Sequence, residues 1–284
     1  MSGKEASRTV VPSVADVRKF WDAHPLWTGE ASAEPGSHAF FEEHRKVYYQ
    51  DCFAGRLDER IFSQPEPDAH ILDLGCGIGF WLVEFWNRGF RHLWGADLSP
   101  ASLEIAAQRC RQYGVEAKLQ VENAEALSFA DATFDHVNCQ GVIHHTPDTA
   151  QAIAEICRVL KPGGTASISV YYRNLALRNW PVLRPFARLA AGLGSRLRGR
   201  GREDIYRMAD ANEIVRLYDG AANPIGKAYS SAEFRAMLER HFTIEQVYFH
   251  FFPARSIPIR IPRWLHIYLD GNLPFMIYAN LRKV

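Results

Sequence analysis

Three glycines at alternate positions follow a short apolar run that ends in an acid, in the stretch ILDLGCGIGFW at 71–81. Glycine allows positive φ angles and a close approach of a ligand to the backbone, so Gly75, Gly77 and Gly79 predict a tight, ligand-binding turn. A helix that begins near Phe80 would direct free N–H groups at the same ligand. Dinucleotide-binding turns have the spacing G-x-G-x-x-G, and Phe80 breaks that spacing. A tight loop without a ligand is the alternative interpretation.

A second acid, Asp97, stands 22 positions after Gly75, at the end of the next apolar run. A carboxylate at this place can accept hydrogen bonds from two ribose hydroxyls. The alternative is a charge that complements a helix dipole, but Ser99 already provides the helix cap. Asn123 and Ala124 follow the third apolar run, where the edge of an adenine could be bound. Together these positions indicate a nucleoside-containing ligand.

The elements that must position these residues alternate between short apolar runs and helical stretches. Strands alternating with helices of 10 to 15 residues indicate a parallel sheet covered on both faces, and ligands bind at the carboxyl ends of such strands. We predict strands at 70–74, 92–98, 117–121, 134–140 and 165–172, and helices at 80–89, 99–114 and 148–161. Ser99, Pro100 and Gly114 match an N-cap, a first helical position and a C-terminal glycine.

The flanks differ in character from this core. Residues 12–65 are rich in aromatic side chains and are predicted to form two helices, the second over 38–62. We expect their aromatic residues to pack in the core beneath an N-terminal lid rather than to contact a ligand; these are Trp21, Trp27, Tyr48 and Tyr49. Residues 173–230 are predicted to fold as a helical cap, because a structureless connection of that length is unusual. A further helix at 230–242 precedes strands at 243–252 and 275–284.

The first part of the cap, 173–207, carries nine arginines, against only Glu203 and Asp204. The arginines are Arg173, Arg178, Arg184, Arg188, Arg196, Arg198, Arg200, Arg202 and Arg207. Apolar residues at helical spacing lie between them and predict an amphipathic helix with a basic face; they are Leu183, Phe186, Leu189, Leu193 and Leu197. A solvated face over an ordinary core stripe is one interpretation. An acidic substrate, an anionic membrane surface or RNA are other interpretations. RNA is the least favoured, because the overall charge of the chain is close to neutral.

Whole-chain properties limit the function classes. The net charge of +1 in 284 residues gives no case for nucleic acid, and we expect no DNA partner. Five widely spaced cysteines without a C-x-x-C motif indicate reduced thiols and a cytoplasmic protein. The first residues lack the apolar core of a signal peptide, and no run is long enough to predict a membrane span.

Four segments in order resemble the class I S-adenosylmethionine-dependent methyltransferases. They are ILDLGCGIGFW, GADLSPASLEIA, ENAEALSFADATFDHV and QGVIHHTPDTAQAIAEICRVLKPGG, which together cover about 70 to 172. The chain is similar to the small-molecule group that includes the quinone-biosynthesis methyltransferases. The resemblance implies a Rossmann-like α/β fold with a seven-stranded, mostly parallel sheet whose last strand is antiparallel. The predicted parts are an N-terminal helical lid at 1–65, a cofactor-binding core at 66–172, an inserted helical cap at 173–230 and the rest of the core at 231–284.

The resemblance also implies cofactor contacts. The turn would hold the methionine end of S-adenosylmethionine, with Asp73 near the ammonium group and Gln140 beside the methionine portion. Its residues are Gly75, Cys76, Gly77 and Gly79. Asp97 would bind the ribose, and Leu98 would pack on the adenine. Asn123 stands where the family usually has Asp, and the Ala124 backbone would meet the adenine ring.

The expected reaction is transfer of a methyl group to a small acceptor, a secondary metabolite or lipid-like molecule, in an enclosed pocket, with S-adenosylhomocysteine as product. His144 and His145 are candidates for a base, because a neutral imidazole can remove a proton near pH 7. Packing of the loop is the alternative role. Tyr171 leaves the fifth strand towards the pocket. A metal site at His144, His145 and Asp148 is not favoured, because no other clustered ligand accompanies them.

The sequence is also compatible with other functions. One is an S-adenosylmethionine enzyme or binder that does not methylate, and another is a methyltransferase for RNA or protein. The basic stretch at 173–207 also allows peripheral contact with an anionic membrane, and the chain allows a homodimer.

Overall fold

The computed structural model describes residues 11–62, 66, 68–194, 197–199, 202, 204–257 and 259–284. Arg196, Arg200 and Glu203 of the basic stretch lie outside the described residues, as does the start of the chain at 1–10.

A twisted sheet forms the centre of the fold. Its first five strands are parallel, in the spatial order β3-β2-β1-β4-β5. They are β1 (His70–Leu74), β2 (His92–Asp97), β3 (Ala117–Val121), β4 (Phe134–Gln140) and β5 (Leu160–Tyr172). The order reverses between β1 and β4, so the carboxyl ends of these two strands open the crevice in which α/β folds bind ligands.

The far half of the sheet adds three strands. β8 (Met276–Lys283) lies antiparallel between β5 and β7 (Phe242–His250), which confirms the predicted antiparallel last strand. A two-residue strand, β6 (Ala228–Tyr229), pairs with the end of β5 and was not predicted. It is an addition to the seven predicted strands, in a segment whose Asp-Gly and Asn-Pro pairs suggested turns only.

Four helices pack against the strands. They are α3 (Phe80–Asn87), α4 (Pro100–Tyr113), α5 (Thr149–Val159) and α9 (Ser231–Leu238). In α4, the Ser99 hydroxyl accepts from the Ser102 N–H, Pro100 stands in the first turn, and Gly114 ends the helix in the left-handed region, as predicted. Local sequence chemistry therefore determines where this helix begins and ends.

Two helices precede the sheet, α1 (Val14–Ala23) and α2 (His38–Cys52). The prediction of a single helix over 38–62 is wrong. Ala54 and Gly55 have φ angles of 47° and 96°, which end the helix, and only one 3₁₀ turn follows at Glu59–Phe62. Gly55 was the available signal for this break, since glycine commonly ends helices, whereas alanine is an ordinary helix former.

The cap contains α6 (Leu175–Arg178), α7 (Trp180–Gly192) and α8 (Ala211–Tyr218). A further helix between the last two long strands, α10 (Arg263–Asn272), was not predicted. None of the helices among the residues that the structure describes could cross a membrane.

The apolar stripe of the cap faces outward, so its interpretation as a core stripe is wrong. Phe186, Leu189 and Leu193 are 70%, 65% and 82% exposed, and Leu183 is 40% exposed. Leu197 packs against the core. Spacing alone shows that a helix has an apolar face, but it does not show what that face contacts.

The opposite side of α7 holds it to the protein. Trp180 packs against the core, and its Nε1 donates to the Met208 carbonyl at 2.8 Å. Ala187 and Ala191 are half-buried on the same side. The helix therefore turns small residues inward and large apolar residues outward, the reverse of the usual arrangement.

Candidate active site

The glycine turn after β1 is held by backbone hydrogen bonds to β2. The N–H groups of Gly75 and Cys76 donate to the Ala96 carbonyl at 2.7 and 3.0 Å. Gly75 has a φ of 72°, and a Cβ there would lie 2.2 Å from Val142 Cγ2. At Gly77 a Cβ would meet nothing within 4 Å. Gly75 is therefore required by the protein's own packing, whereas the space beside Gly77 is open to a ligand.

Asp97 links two ligand-facing backbone segments. Its Oδ2 accepts from the Gly77 N–H at 2.8 Å and its Oδ1 from the Ser99 N–H at 2.9 Å. Burial raises its pKa despite these donors. Each carboxylate oxygen has two lone pairs, so both can accept a further hydrogen bond from a hydroxyl in the cavity.

Polar atoms without a partner lie beside this turn. Asp73 accepts from Asn138 Nδ2 through Oδ1 at 2.8 Å, while its Oδ2 is buried and has no partner among the described residues. Burial raises the Asp73 pKa to about 7. Gln140 donates to Asn138 and Ser167, and its Oε1 is likewise buried without a partner. Buried acceptors of this kind indicate an absent donor, and a ligand ammonium group would provide one.

A cavity of about 150 Å³ opens over the turn. Predicted residues in its wall are Gly75, Gly77, Asp97, Leu98, Asn123, Ala124 and Gln140. Asp73, Cys76 and Gly79 lie behind the wall and are buried. Gly79 is the N-cap of α3, where a Cβ would crowd Ala106. These three residues therefore shape the turn from beneath.

Asn123 differs from the expected geometry. Its side-chain oxygen accepts from the Glu125 N–H at 3.1 Å, forming a local turn. The atom expected to accept from adenine is thus already engaged by the protein backbone, and one lone pair remains on it.

The N-terminal helix covers the cavity. Val14, Val17, Trp21 and Leu26 line it from this side. Asp22 accepts from the Ser99 hydroxyl at 2.8 Å and so joins α1 to the start of α4. The sequence did not identify these lid contacts, because nothing in the local pattern of α1 says which element it covers.

A second cavity of about 220 Å³, here named the acceptor chamber, adjoins the first. The two share the wall residues Trp21, Leu26, Gln140, Gly141 and His145. Its other walls carry Trp27, Tyr48, Tyr171, Tyr218, Phe251 and Tyr278. Trp27 and Tyr48 pack against core clusters as expected, and Trp21, Trp27 and Tyr48 also line this chamber. Tyr49 packs on Phe80 instead.

The two candidate histidines occupy different positions. His144 lies in the chamber wall, its Nδ1 is buried without a partner among the described residues, and burial holds its pKa well below the usual value. His145 lies where the two cavities meet. Its Nδ1 is 2.7 Å from the Ile225 carbonyl, so this nitrogen carries the proton and donates.

Tyr171 and Asp219 complete this side of the chamber. The Tyr171 hydroxyl donates to Asp219 Oδ2 at 2.8 Å. His145 Nε2 is 3.4 Å from the same oxygen. Burial raises the pKa of Asp219 and raises that of Tyr171 well above its usual range. Asp219 was not identified from the sequence, because it is 48 positions from Tyr171 in a segment that carries only turn signals.

Ion pairs close the opposite end of the chamber. Arg255 contacts Glu30 at 2.6 Å and stacks over Trp27, and Arg202 contacts Glu30 at 3.4 Å. Arg202 also donates to the Ser256 hydroxyl at 2.8 Å. One carboxylate thus joins two guanidinium groups, which orders the cap against the N-terminal segment. Within the described ranges, no group of three potential metal ligands occurs.

Comparison with known proteins identifies the domain. Residues 71–164 match the family described as a methyltransferase domain. The ubiquinone biosynthesis O-methyltransferase of Hahella chejuensis is 32% identical over 163 residues, which are 57% of this chain and 63% of that protein. The demethylmenaquinone methyltransferase of Lactiplantibacillus plantarum is 39% identical over 34% of this chain and 42% of that protein. The chain thus spans less than two thirds of these relatives.

Solved structures show the same fold. A methyltransferase of Methanosarcina mazei has a TM-score of 0.57 at 22% identity, covering 80% of this chain and 98% of that one. The 1,6-didemethyltoxoflavin-N1-methyltransferase of Burkholderia thailandensis, which was solved with S-adenosylhomocysteine bound, has a TM-score of 0.50 at 19% identity. It covers 89% of this chain and 92% of that one.

The residues present fit the cofactor of this family. The open space beside Gly77, the free lone pairs of Asp97 and the unpartnered oxygens of Asp73 and Gln140 suit an adenosyl amino acid with its hydroxyls and ammonium group. Residues 71–164 therefore form a methyltransferase domain, and the chain is similar to the quinone-biosynthesis enzymes among the S-adenosylmethionine-dependent methyltransferases.

Proposed function

We propose that this protein transfers a methyl group from S-adenosylmethionine to a small molecule held in the acceptor chamber. The observation that carries the proposal is the shared wall at Gln140, Gly141 and His145, which places two cavities side by side. Methyl transfer needs a donor and an acceptor in line, with water excluded. Two adjoining cavities beneath a lid meet that need.

The cofactor supplies an electrophilic methyl group on a sulfonium, and the chain's residues provide position and surroundings. The turn at Gly75 and Gly77 and the carboxylate of Asp97 would hold the adenosyl amino acid. The lid at 1–65 and the cap at 173–230 would enclose the acceptor. His144, His145 and Tyr171 would line its reacting end.

The chamber walls favour a flat, largely apolar acceptor. Aromatic rings from the lid, the cap and the sheet surround the space, and their faces suit stacking with a ring or a conjugated system. Arg202 and Arg255 are already paired with Glu30, so they offer less attraction to a free anion. A secondary metabolite or lipid-like acceptor fits these walls better than a polymer does.

The test measures S-adenosylhomocysteine release from S-adenosylmethionine with three kinds of acceptor: a panel of small phenols and amines, bulk RNA, and an unrelated unfolded protein. We expect product with small molecules only. Val47→Trp should fill the chamber, since Val47 lines it, and lower turnover about 10-fold or more while S-adenosylhomocysteine affinity is unchanged.

Lys46→Trp is the matched control, because Lys46 is exposed on the same helix. Methylation of RNA or protein without any small-molecule product would show that the acceptor class is wrong. Tight S-adenosylhomocysteine binding with no transfer to any acceptor would favour a binder or a non-methylating enzyme.

A second proposed function is contact with an anionic lipid surface through the outward face of α7. Val182, Phe186, Leu189 and Leu193 recur at spacings of four and three residues and are all more than 60% exposed. Arg184 and Arg188 lie away from this face by helical spacing, and neither forms an ion pair with any described residue. A helix with an exposed apolar face and arginines elsewhere on its circumference is typical of helices that lie in a membrane interface.

Flotation with vesicles of phosphatidylglycerol or phosphatidylcholine tests this contact. We expect binding to the anionic vesicles that persists in high salt, because apolar insertion is not screened. Phe186→Ser with Leu189→Ser should abolish it, whereas Lys19→Ser on α1 should not. If the double substitution instead converts a dimer to a monomer without affecting flotation, the face is a homodimer interface and the lipid proposal fails.

A further inference from the structure

Asp219 occupies an unfavourable place for a carboxylate. It is the C-cap residue of α8, where the negative end of the helix dipole repels an anion. Its side chain is only 18% exposed, and it faces the acceptor chamber. Burial further disfavours the charged form and raises its pKa. Groups placed against local preference concentrate at functional sites.

Neighbouring side chains orient this carboxylate. Tyr171 donates to Oδ2, and the imidazole of His145 faces the same oxygen while its other nitrogen is anchored on the Ile225 carbonyl. Oδ1 accepts no hydrogen bond from any described residue. The remaining charged groups that face Asp219 are Arg202 in the cap and Glu30 in the N-terminal segment.

The other candidates are less suited to accept a proton. His145 donates from Nδ1 to the Ile225 carbonyl, and its Nε2 lies 3.4 Å from Asp219 Oδ2, which leaves that nitrogen less accessible to an acceptor. The Tyr171 hydroxyl is a donor whose pKa is raised well above its usual range. His144 is 1% exposed and packs on the Tyr171 ring at 4.2 Å between centroids. His144 Nδ1 also has no partner among the described residues but is buried, so Asp219 Oδ1 is the free acceptor atom on a partly exposed side chain.

We propose that Asp219 removes the proton from the acceptor during methyl transfer, with His145 and Tyr171 as positioning residues. This inference rests on the proposed function. A lone pair of the acceptor's oxygen or nitrogen forms the new bond to the methyl carbon. The bond from that carbon to sulfur breaks, and its electrons stay on sulfur. The acceptor's proton passes to Asp219 Oδ1, which becomes a neutral carboxyl group.

Asp219→Asn tests the role directly, because the amide keeps the size and can still accept from Tyr171. With the best acceptor of the phenol and amine panel, we expect kcat to fall 100-fold or more, the range typical of general-base removal. S-adenosylhomocysteine affinity should stay within 2-fold of the wild type, because Asp219 does not line the cavity over the glycine turn, here named the cofactor cavity. A kcat within 5-fold of the wild type would overturn the proposal.

Tyr171→Phe separates positioning from structure. Loss of the hydroxyl removes a donor that stabilises the charged carboxylate, so the acidic limb of the kcat/KM profile should move to higher pH. Tyr172→Phe is the matched control, because its hydroxyl accepts from Arg178 rather than contacting Asp219 and the residue does not line the chamber. If the acidic limb of the kcat/KM profile does not shift in Tyr171→Phe, the assignment of Asp219 as the base is contradicted.

Thermal unfolding gives a readout that needs no acceptor. Because its folded pKa is raised, Asp219 destabilises the fold increasingly as pH rises above its unfolded value. Asp219→Asn should therefore melt about 2–4 °C above the wild type at pH 7, and the gap should close as pH falls towards 4. A lower melting temperature at pH 7 would indicate a structural role and overturn the inference.

Failure of the proposed function has a different signature. It would appear as wild-type protein that binds S-adenosylhomocysteine weakly or turns over no acceptor in the panel, and the catalytic role of Asp219 would fall with it. Normal wild-type turnover with normal turnover in Asp219→Asn would reject only the Asp219 assignment.

Discussion

The cofactor cavity and the acceptor chamber adjoin each other but are built differently. The floor of the cofactor cavity comes from the loops that follow three strands, β1, β2 and β3, at Gly75–Gly77, Asp97–Leu98 and Asn123–Ala124. The chamber combines side chains from the lid, the loop after β4, the cap and the last strands, from Trp21 to Tyr278. Backbone turns hold the first cavity, and long-range side-chain contacts hold the second.

This difference has a physical basis. A ligand bound by backbone N–H groups needs only the right turn at the end of a strand, and short-range sequence determines turns. A chamber lined by side chains depends on how distant segments pack. Changes in the first region should therefore act locally and strongly on cofactor binding, while changes in the second should act on turnover.

The largest expected effect comes from Gly75→Ala. Its Cβ would overlap Val142 and the residue would keep a positive φ, so the turn must shift. We expect S-adenosylhomocysteine affinity to fall about 100-fold or more by calorimetry, since backbone misplacement by 1 Å can cost that much. Gly114→Ala has a similar φ of 65° and no Cβ clash, and should lose about 1–2 kcal/mol of stability with unchanged affinity.

Asp97→Ala should have the next largest effect. It removes the acceptor for the Gly77 and Ser99 N–H groups together with the expected ribose contact. We expect affinity for S-adenosylhomocysteine to fall about 30-fold, corresponding to about 2 kcal/mol. The control is Asp135→Ala, an acid that pairs with Lys161 at 2.8 Å near the opposite end of the strands. Equal losses of S-adenosylhomocysteine affinity in Asp97→Ala and Asp135→Ala would show that binding is not confined to the carboxyl ends of the strands.

A pH effect of about 10-fold is expected from Asp73. Its pKa of about 7 means that the carboxylate forms as pH rises from 6 to 8. We expect affinity for S-adenosylhomocysteine to increase over that range, because the charged form attracts the ammonium group, and to be flat in Asp73→Asn. The stability of the free protein depends on pH in the opposite direction. Because the folded pKa of Asp73 is raised, this group stabilises the fold below pH 4, and its contribution is lost as pH rises through 7.

The smallest expected effect concerns the lid. Asp22→Ala removes the acceptor for the Ser99 hydroxyl and should loosen α1 over both cavities. We expect about a 3-fold faster release of S-adenosylhomocysteine by stopped flow, since one hydrogen bond contributes about 1 kcal/mol. Lys19→Ala on the exposed face of α1 is the control. An unchanged release rate in Asp22→Ala would show that the lid does not depend on this contact.

Much of the core could be predicted from the sequence, because its signals are local. Ser99, Pro100 and Gly114 bound α4 as predicted, and the seven long strands lie where apolar runs indicated. The second helix and the cap were predicted less well. Ala54 adopts a left-handed conformation that its residue type does not suggest, and the apolar stripe of α7 faces solvent rather than the core.

The sequence by itself determined the turn, the acid after β2 and the family, because these depend on residues within a few positions of one another. Only the tertiary structure shows that Asp73, Cys76 and Gly79 lie behind the wall of the cofactor cavity. It alone also shows that Asp219 contacts His145 and Tyr171. These contacts depend on how the cap and lid pack on the sheet. Residues that are 48 or more positions apart produce no local sequence pattern that would predict their contact.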